Sequence, residues 1–284
     1  MQTIQLGKRY LQVPTTLEEL TKNQLIRYVE LANSNLTVTQ FNVLMLLNIL
    51  DVQKRYWLKW FFFRNEYLIP LLDKITFGKL NWTVTIIDQE DFYHISLLSE
   101  KFHKVKKFVL QNPVPKYRWL SGPDTLLSNI TFRQFRKAEE LNMKYLLSKS
   151  ESDLDNLLGW LYIETFLPKS VTLSPKMAQK RAKVLKNWSL ANKLTAYNFY
   201  ATSRQNIAKI YKALFSKGTE KSSTPSPSAI KNNFEKAVRG LSGNINNDES
   251  TDFQPCLDAL AHLNDRAEEA EALKKIANGT ANNN

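Results

Sequence analysis

Few residues in this 284-residue chain are suited to acid–base, nucleophilic or metal chemistry. The histidines are His94, His103 and His262, and the one cysteine is Cys256. No two histidines have zinc-ligand spacing, and a single cysteine cannot complete such a site. Glu90, Asp91 and His94 fall on one face of an expected helix, as scattered solvated ligands. Cys256 follows Pro255 in an expected helix first turn, where the N-terminal dipole favours a thiolate. It has no plausible histidine partner to act as its base, so no catalytic role follows. Glu139-Glu140 and Glu268-Glu269 read as surface pairs. A Gly-rich phosphate loop, G-x-S-x-G and H-E-x-x-H are all missing from the sequence. The expectation is no enzyme, no metal and no cofactor.

Charge is the one feature with physical reach. The net charge is +12, and it is uneven. Residues 1–164 carry 21 Lys/Arg against 17 Asp/Glu, and residues 220–284 carry 7 against 10. Residues 165–219 carry 11 Lys/Arg and no acid at all. Such a stretch attracts phosphates and releases their counterions, and it suits an acidic protein equally. The candidate contacts to a nucleic acid or acidic partner are Lys176, Lys180, Arg181, Lys183, Lys186, Lys193, Arg204, Lys209 and Lys212. Trp188, Tyr197, Phe199, Tyr200 and Tyr211 are either stacking surfaces for a single strand or the core of these helices. The same basic face also suits an anionic membrane surface.

The elements that must carry these residues read mainly as helices. Thr15 or Thr16 with Glu18 or Glu19, Thr21 with Gln24, and Thr37 with Gln40 each form a capping-box pattern. The aromatic-rich segment 52–72 follows as a further helix, with Pro70 as its breaker. The apolar run 38–50 is too short and too polar to span a bilayer, so it reads as a core helix. Trp82, Val84 and Ile86 alternate with Thr83, Thr85 and Ile87, which is strand periodicity. A helix is expected over 89–110, from the apolar spacing of Phe92, Ile95, Leu98, Phe102, Val105 and Val109. Lys101, Lys104, Lys106 and Lys107 would suit its C-terminal end.

Gly122-Pro123 makes a turn, and Thr131 with Gln134 makes a capping box. Ile130 and Phe135 supply its hydrophobic staple. A second helix follows from Ser150 and runs until Pro168 ends it. Ser174-Pro175 starts the basic helices, in which Lys176, Lys180, Lys183 and Lys186 share one face. The fold class is mainly α: a multi-helix bundle with at most a short β-hairpin near residues 75–87. The expected divisions are a helical region with hairpin (14–120), a helical region basic in its second half (121–216) and a Ser/Thr/Pro linker (217–228). A C-terminal helical pair (229–277) and a disordered end (278–284) complete the chain.

One run carries a family resemblance: Gly122-Pro123-Asp124, then Leu127-Ser128-Asn129, then Thr131-Phe132 with Phe135 and Ala138-Glu139. Met143-Lys144-Tyr145, Leu154 to Tyr162, and the IAKIYKALF and FEKAVRGLSG segments continue it. In these the chain resembles a group of uncharacterised proteins encoded in phage and prophage morphogenesis regions. It differs from them at Arg136, where an acidic residue is usual. The resemblance implies a non-enzymatic component of phage or phage-like particle assembly, either a tail-assembly chaperone or a minor virion structural protein. It implies phage or particle proteins as partners, in a homo- or hetero-oligomer. The setting it implies is the host cytoplasm, with incorporation in the virion. The alternative is a nucleic-acid-binding protein that uses helices 169–217.

Overall fold

The computed structural model is mainly helical, with small antiparallel strand pairs. It describes residues 1–6, 9–50, 66–76, 79–88, 97–103, 105, 108–167, 173–215 and 248–281. Two compact units divide between Val109 and Leu110. Among the described residues, no helix is long and apolar enough to cross a membrane.

The first unit opens with a hairpin the sequence reading missed, β1 (Gln2–Leu6) against β2 (Arg9–Val13). The helix expected at Thr15–Leu20 is a single 3-10 turn, Leu17–Glu19. Its capping box does not form: the N-cap Thr16 makes no side-chain cap bond, and Glu19 Oε2 instead accepts from the Thr15 N–H at 2.7 Å. α1 (Lys22–Ala32) and α2 (Val38–Ile49) both begin with complete capping boxes, at Thr21/Gln24 and Thr37/Gln40. Gln24 has a second task, because its Nε2 donates to the carbonyls of Asn48 and Ile49 at 3.0 and 3.1 Å. Asn48 Nδ2 returns a bond to the Gln24 carbonyl at 2.8 Å. The start of α1 is thereby locked to the end of α2, and last-turn carbonyls that have no helical partner are satisfied.

β3 (Glu66–Thr76) pairs with β4 (Lys79–Asp88) in a long hairpin with a register shift between Leu72 and Lys74. This corrects two expectations. The hairpin is longer than residues 75–87, and residues 66–72 are strand rather than helix. Pro70 does not break the pairing; in a two-stranded ribbon every strand is an edge, where the missing N–H can face outward. The rest of the aromatic segment, 52–65, lies outside the described residues.

Of the helix expected over 89–110, residues 89–96 lie outside the described residues; Leu97 is helical and α3 (Glu100–His103) follows after a turn. Val105 and Phe108–Leu110 are not helical. Phe108 and Val109 are nevertheless buried, so past His103 the apolar spacing records burial and not helix. Lys101/Lys104 and Lys104/Lys107 would be like charges three apart on a helix, which destabilises it.

The second unit is built on a helical hairpin, α4 (Phe132–Ser148) and α5 (Glu151–Leu161). Thr131 and Gln134 form the expected capping box, and Ile130 and Phe135 are buried as a staple would require. Gln134 repeats the device of Gln24. Its Oε1 accepts from the Thr131 N–H at 3.0 Å, while its Nε2 donates to the Trp160 carbonyl at 2.9 Å. Lys149 turns the chain between the helices with a left-handed φ of 51°. α5 ends at Leu161, earlier than Pro168, because residues 163–164 enter a small sheet. That sheet is β5 (Lys116–Tyr117), β6 (Leu120–Ser121) and β7 (Ile163–Glu164), with β6 in the middle.

α6 (Pro175–Leu185), α7 (Leu190–Ile210) and α8 (Lys212–Phe215) follow. Gly159 lets α6 approach α5 closely, since a Cβ there would lie 2.6 Å from the Ala178 carbonyl oxygen. Residues 216–247, which include the expected linker and the first helix of the C-terminal pair, lie outside the described residues. α9 (Asp248–Asp252) and α10 (Cys256–Ala281) resume the chain. They dock on the start of α4. The Phe132 N–H donates to the Gln254 carbonyl, the Cys256 N–H donates to the Ile130 carbonyl (both 3.0 Å), and Arg136 pairs with Asp252. Cys256, Ala259, Leu260 and Leu263 are buried. α10 continues to Ala281, past residue 278, where a disordered end was expected.

Gln134→Glu should cost about 3 kcal/mol in urea unfolding, because a buried carboxylate cannot donate to the Trp160 carbonyl. The loss should shrink as pH falls and the carboxyl regains a proton to donate. Gln40→Glu, in a capping box on an exposed face, should stay within about 0.5 kcal/mol of the parent.

Candidate anion-binding surface

α6 starts as expected, with Ser174 Oγ accepting from the Met177 N–H at 3.3 Å and Pro175 in the first turn. Its inner face is Ala178, Arg181, Ala182 and Leu185, all buried. Its outer face carries Lys176, Lys180 and Lys183, with Lys186 at the C-cap, and all four are exposed. Among the described residues none of these four lysines makes an ion pair. They extend over about 15 Å of helix.

The nine candidate cations therefore divide. Arg181 is only 1% exposed; its Nε donates to Glu164 Oε2 at 2.7 Å and its Nη1 to the Gly159 carbonyl at 3.1 Å. Burial pushes its pKa down from the ordinary arginine value, against the pull of Glu164. Lys193 is fully buried, with Nζ 2.6 Å from Glu151 Oε1 and 2.7 Å from Asp155 Oδ1. Burial alone would lower the Lys193 pKa, but Asp155 and Glu151 together outweigh it and hold the ammonium charged. Arg204 Nε bonds both oxygens of buried Glu139 at 2.7 Å, and Tyr200 donates to the same carboxylate at 2.7 Å. All three cations are held in ion pairs within the fold, Arg181 and Lys193 buried and Arg204 half-buried. Lys209 and Lys212 are exposed, on α7 and α8.

Tyr200, Phe199 and Trp188 are buried, so they belong to the core and offer no stacking face. Burial raises the Tyr200 hydroxyl pKa well above its usual value, and the negative Glu139 adds to the effect. Trp188 has a structural role of its own. Its ring stacks on Tyr117 at 4.9 Å and meets Tyr162 edge-on at 5.2 Å. Two contacts thus fix the small sheet: Arg181 of α6 to Glu164 of β7, and Trp188, in the turn after α6, to Tyr117 of β5.

The β5–β6 hairpin closes through a two-residue loop, Arg118-Trp119, because Tyr117 pairs directly with Leu120. Arg118 takes a left-handed φ of 54°, where such loops favour Gly, Asn or Asp. The loop sets Trp119 outward, 51% exposed. The Arg118 guanidinium lies 5.9 Å from the Trp119 ring centroid and 5.5 Å from that of Tyr117. Phe166, two residues beyond Glu164 of β7, is 69% exposed. Sequence reading missed Arg118, Trp119 and Phe166. The only signal was a Tyr-Arg-Trp tripeptide with no glycine to announce a tight turn.

A cavity of about 220 Å³ opens among Ser121, Asn129, Gln134, Glu164, Thr165 and their neighbours. Gln134 and Glu164 are held by the bonds already described, and Asn129 Oδ1 accepts from the Asp124 N–H at 2.8 Å. The turn residues Gly122 and Pro123 also have structural work. A Cβ on Gly122 would sit 2.6 Å from the Tyr162 ring, and the Pro123 carbonyl accepts from Asn112 Nδ2 at 2.8 Å. Thr131 and Gln134 cap α4 as expected.

Among the described residues no group of three His, Cys, Asp or Glu is placed to hold a metal ion. Glu90, Asp91 and His94 lie outside the described residues. His103 and His262 are exposed. Cys256 is buried, and burial raises its thiol pKa far beyond the ordinary range, overriding the helix-start effect expected from sequence. No protein-family model, curated protein or solved structure matches the chain.

Arg181→Met should destabilise the protein by about 3–5 kcal/mol in denaturant unfolding, since Glu164 stays buried without its cation. Arg181→Met with Glu164→Leu should recover most of that loss. Cys256 should resist iodoacetamide at neutral pH in the folded protein and react once it is unfolded, as read by mass spectrometry.

Proposed function

We propose that this protein is a non-enzymatic interaction component of phage or phage-like particle assembly, a tail-assembly chaperone or minor virion structural protein. Its contact with an anionic partner is the lysine face of α6. The observation that carries the reading is the division of charge on that helix. Arg181 is held inside, while Lys176, Lys180, Lys183 and Lys186 stand exposed with no ion pair among the described residues. A cationic row on a helix clamped from behind is a fixed surface for an acidic patch or a phosphate chain. The residues that carry the family resemblance build the start of α4 and the dock for α9 and α10, which supports a scaffolding role. Its partners are particle proteins, and its setting is the cytoplasm of a host cell.

A second reading, nucleic-acid binding, is favoured by the exposed Trp119 beside Arg118, on a hairpin whose Tyr117 stacks on Trp188 just past the end of that helix.

The test is a tagged pull-down from native lysate, nuclease-treated and washed at two salt concentrations. Tail or capsid proteins should survive both treatments. Replacing Lys176, Lys180, Lys183 and Lys186 together with Glu should abolish their recovery without lowering the unfolding midpoint by more than a few degrees. Arg181 is kept in that variant, because reversing it would break the core. Retention of the same particle proteins by the reversed variant would remove α6 as the contact. Failure to recover any particle protein from a phage-producing lysate would sink the assembly reading.

A further inference from the structure

We propose that the α6 surface also takes single-stranded nucleic acid, with a base stacked on Trp119 and phosphates on Lys176, Lys180, Lys183, Lys186 and Arg118. The proposal rests on the reading of α6 as an anion contact and gives that anion a chemistry. Lysines alone do not distinguish a polyphosphate from an acidic protein, because both present negative charge. The hairpin tip makes the distinction. Trp119 presents half of its surface to solvent at the apex of a two-residue loop. A flat ring in that position suits a base, since every base has a π-face and stacking tolerates any sequence.

The tip is also fixed in place, which stacking requires. Tyr117, at the foot of the loop, stacks on Trp188, and Trp188 lies two residues beyond Lys186. The foot of the loop is therefore anchored just past the C-terminal end of the lysine row. Arg118 adds a cation at the apex, against the rings of Trp119 and Tyr117. Its left-handed backbone is a conformation that glycine adopts without steric cost and arginine does not. A long cationic side chain held in that conformation marks a position where the side chain matters more than an easy turn.

The experiment measures anisotropy of a fluorescent oligo-dT against the full chain at several salt concentrations. Z phosphate contacts give a slope of log affinity on log salt of about −0.7Z, so five contacts predict a slope near −3.5. Trp119→Leu should weaken binding roughly tenfold with the slope unchanged, and Trp119→Phe should keep most of the affinity. Replacing the four lysines with Gln should instead flatten the slope. Near-normal oligonucleotide affinity in Trp119→Leu would overturn the stacking proposal and leave the anion contact standing. Poly-glutamate binding in place of the oligonucleotide would also overturn it, in favour of an acidic protein. If neither polyanion binds, this proposal and the α6 contact fall together.

Discussion

The second unit depends on one buried amide. Gln134 closes the capping box of α4 with its oxygen and holds the Trp160 carbonyl with its nitrogen. A helix start and a neighbouring helix end both carry backbone groups with no partner of their own. One amide satisfies a donor at the first and an acceptor at the second. Glutamate serves equally well in an ordinary capping box, but it has no proton to donate across to α5. With α4 and α5 tied in this way, Gly159 meets α6 at close range and Ile163–Glu164 reaches the small sheet. In the first unit Gln24 does the same for α1 and α2, with Asn48 returning a bond.

What could be read in the sequence follows the range of each interaction. A capping box spans four residues, so Thr21/Gln24, Thr37/Gln40 and Thr131/Gln134 were all legible. The second bond of Gln134 crosses 26 residues, and nothing local announces it. Gln40 has the same pattern as Gln24 and Gln134 but lies on an exposed face, so the pattern alone does not separate a cap from a tie. The segment near Phe102–Val109 misled for a related reason. Apolar spacing reports which residues are buried, and an irregular chain can bury Phe108 and Val109 as well as a helix does. The hairpin tip at Arg118-Trp119 was illegible because its turn lacks the glycine or asparagine by which such turns are recognised.

The basic stretch was legible in composition and misleading in detail. Counting cations along the chain treats all of them as available. The acids that neutralise Arg181, Lys193 and Arg204 are Glu164, Glu151, Asp155 and Glu139, and all lie outside the acid-free stretch in sequence. Only the tertiary fold brings them across. The burial of these pairs also says which way stability runs. Removing one partner leaves a charge in a poor solvent, which costs more than the pair itself contributes.

The choice of cation on α6 follows from the same physics. Its one fully buried cation is an arginine, whose planar guanidinium serves Glu164 and the Gly159 carbonyl at once, and whose charge survives burial because its pKa starts so high. Its exposed cations are lysines, compact charges on flexible stems that can follow a partner of irregular shape. Arginine on the inside fixes where the helix lies, and lysine on the outside leaves the contact adaptable. Such a surface gains affinity from the number of charges and tolerates variation in the partner. Any sharper selectivity must then come from the rigid feature beside it, the Arg118-Trp119 turn anchored through Tyr117 to Trp188.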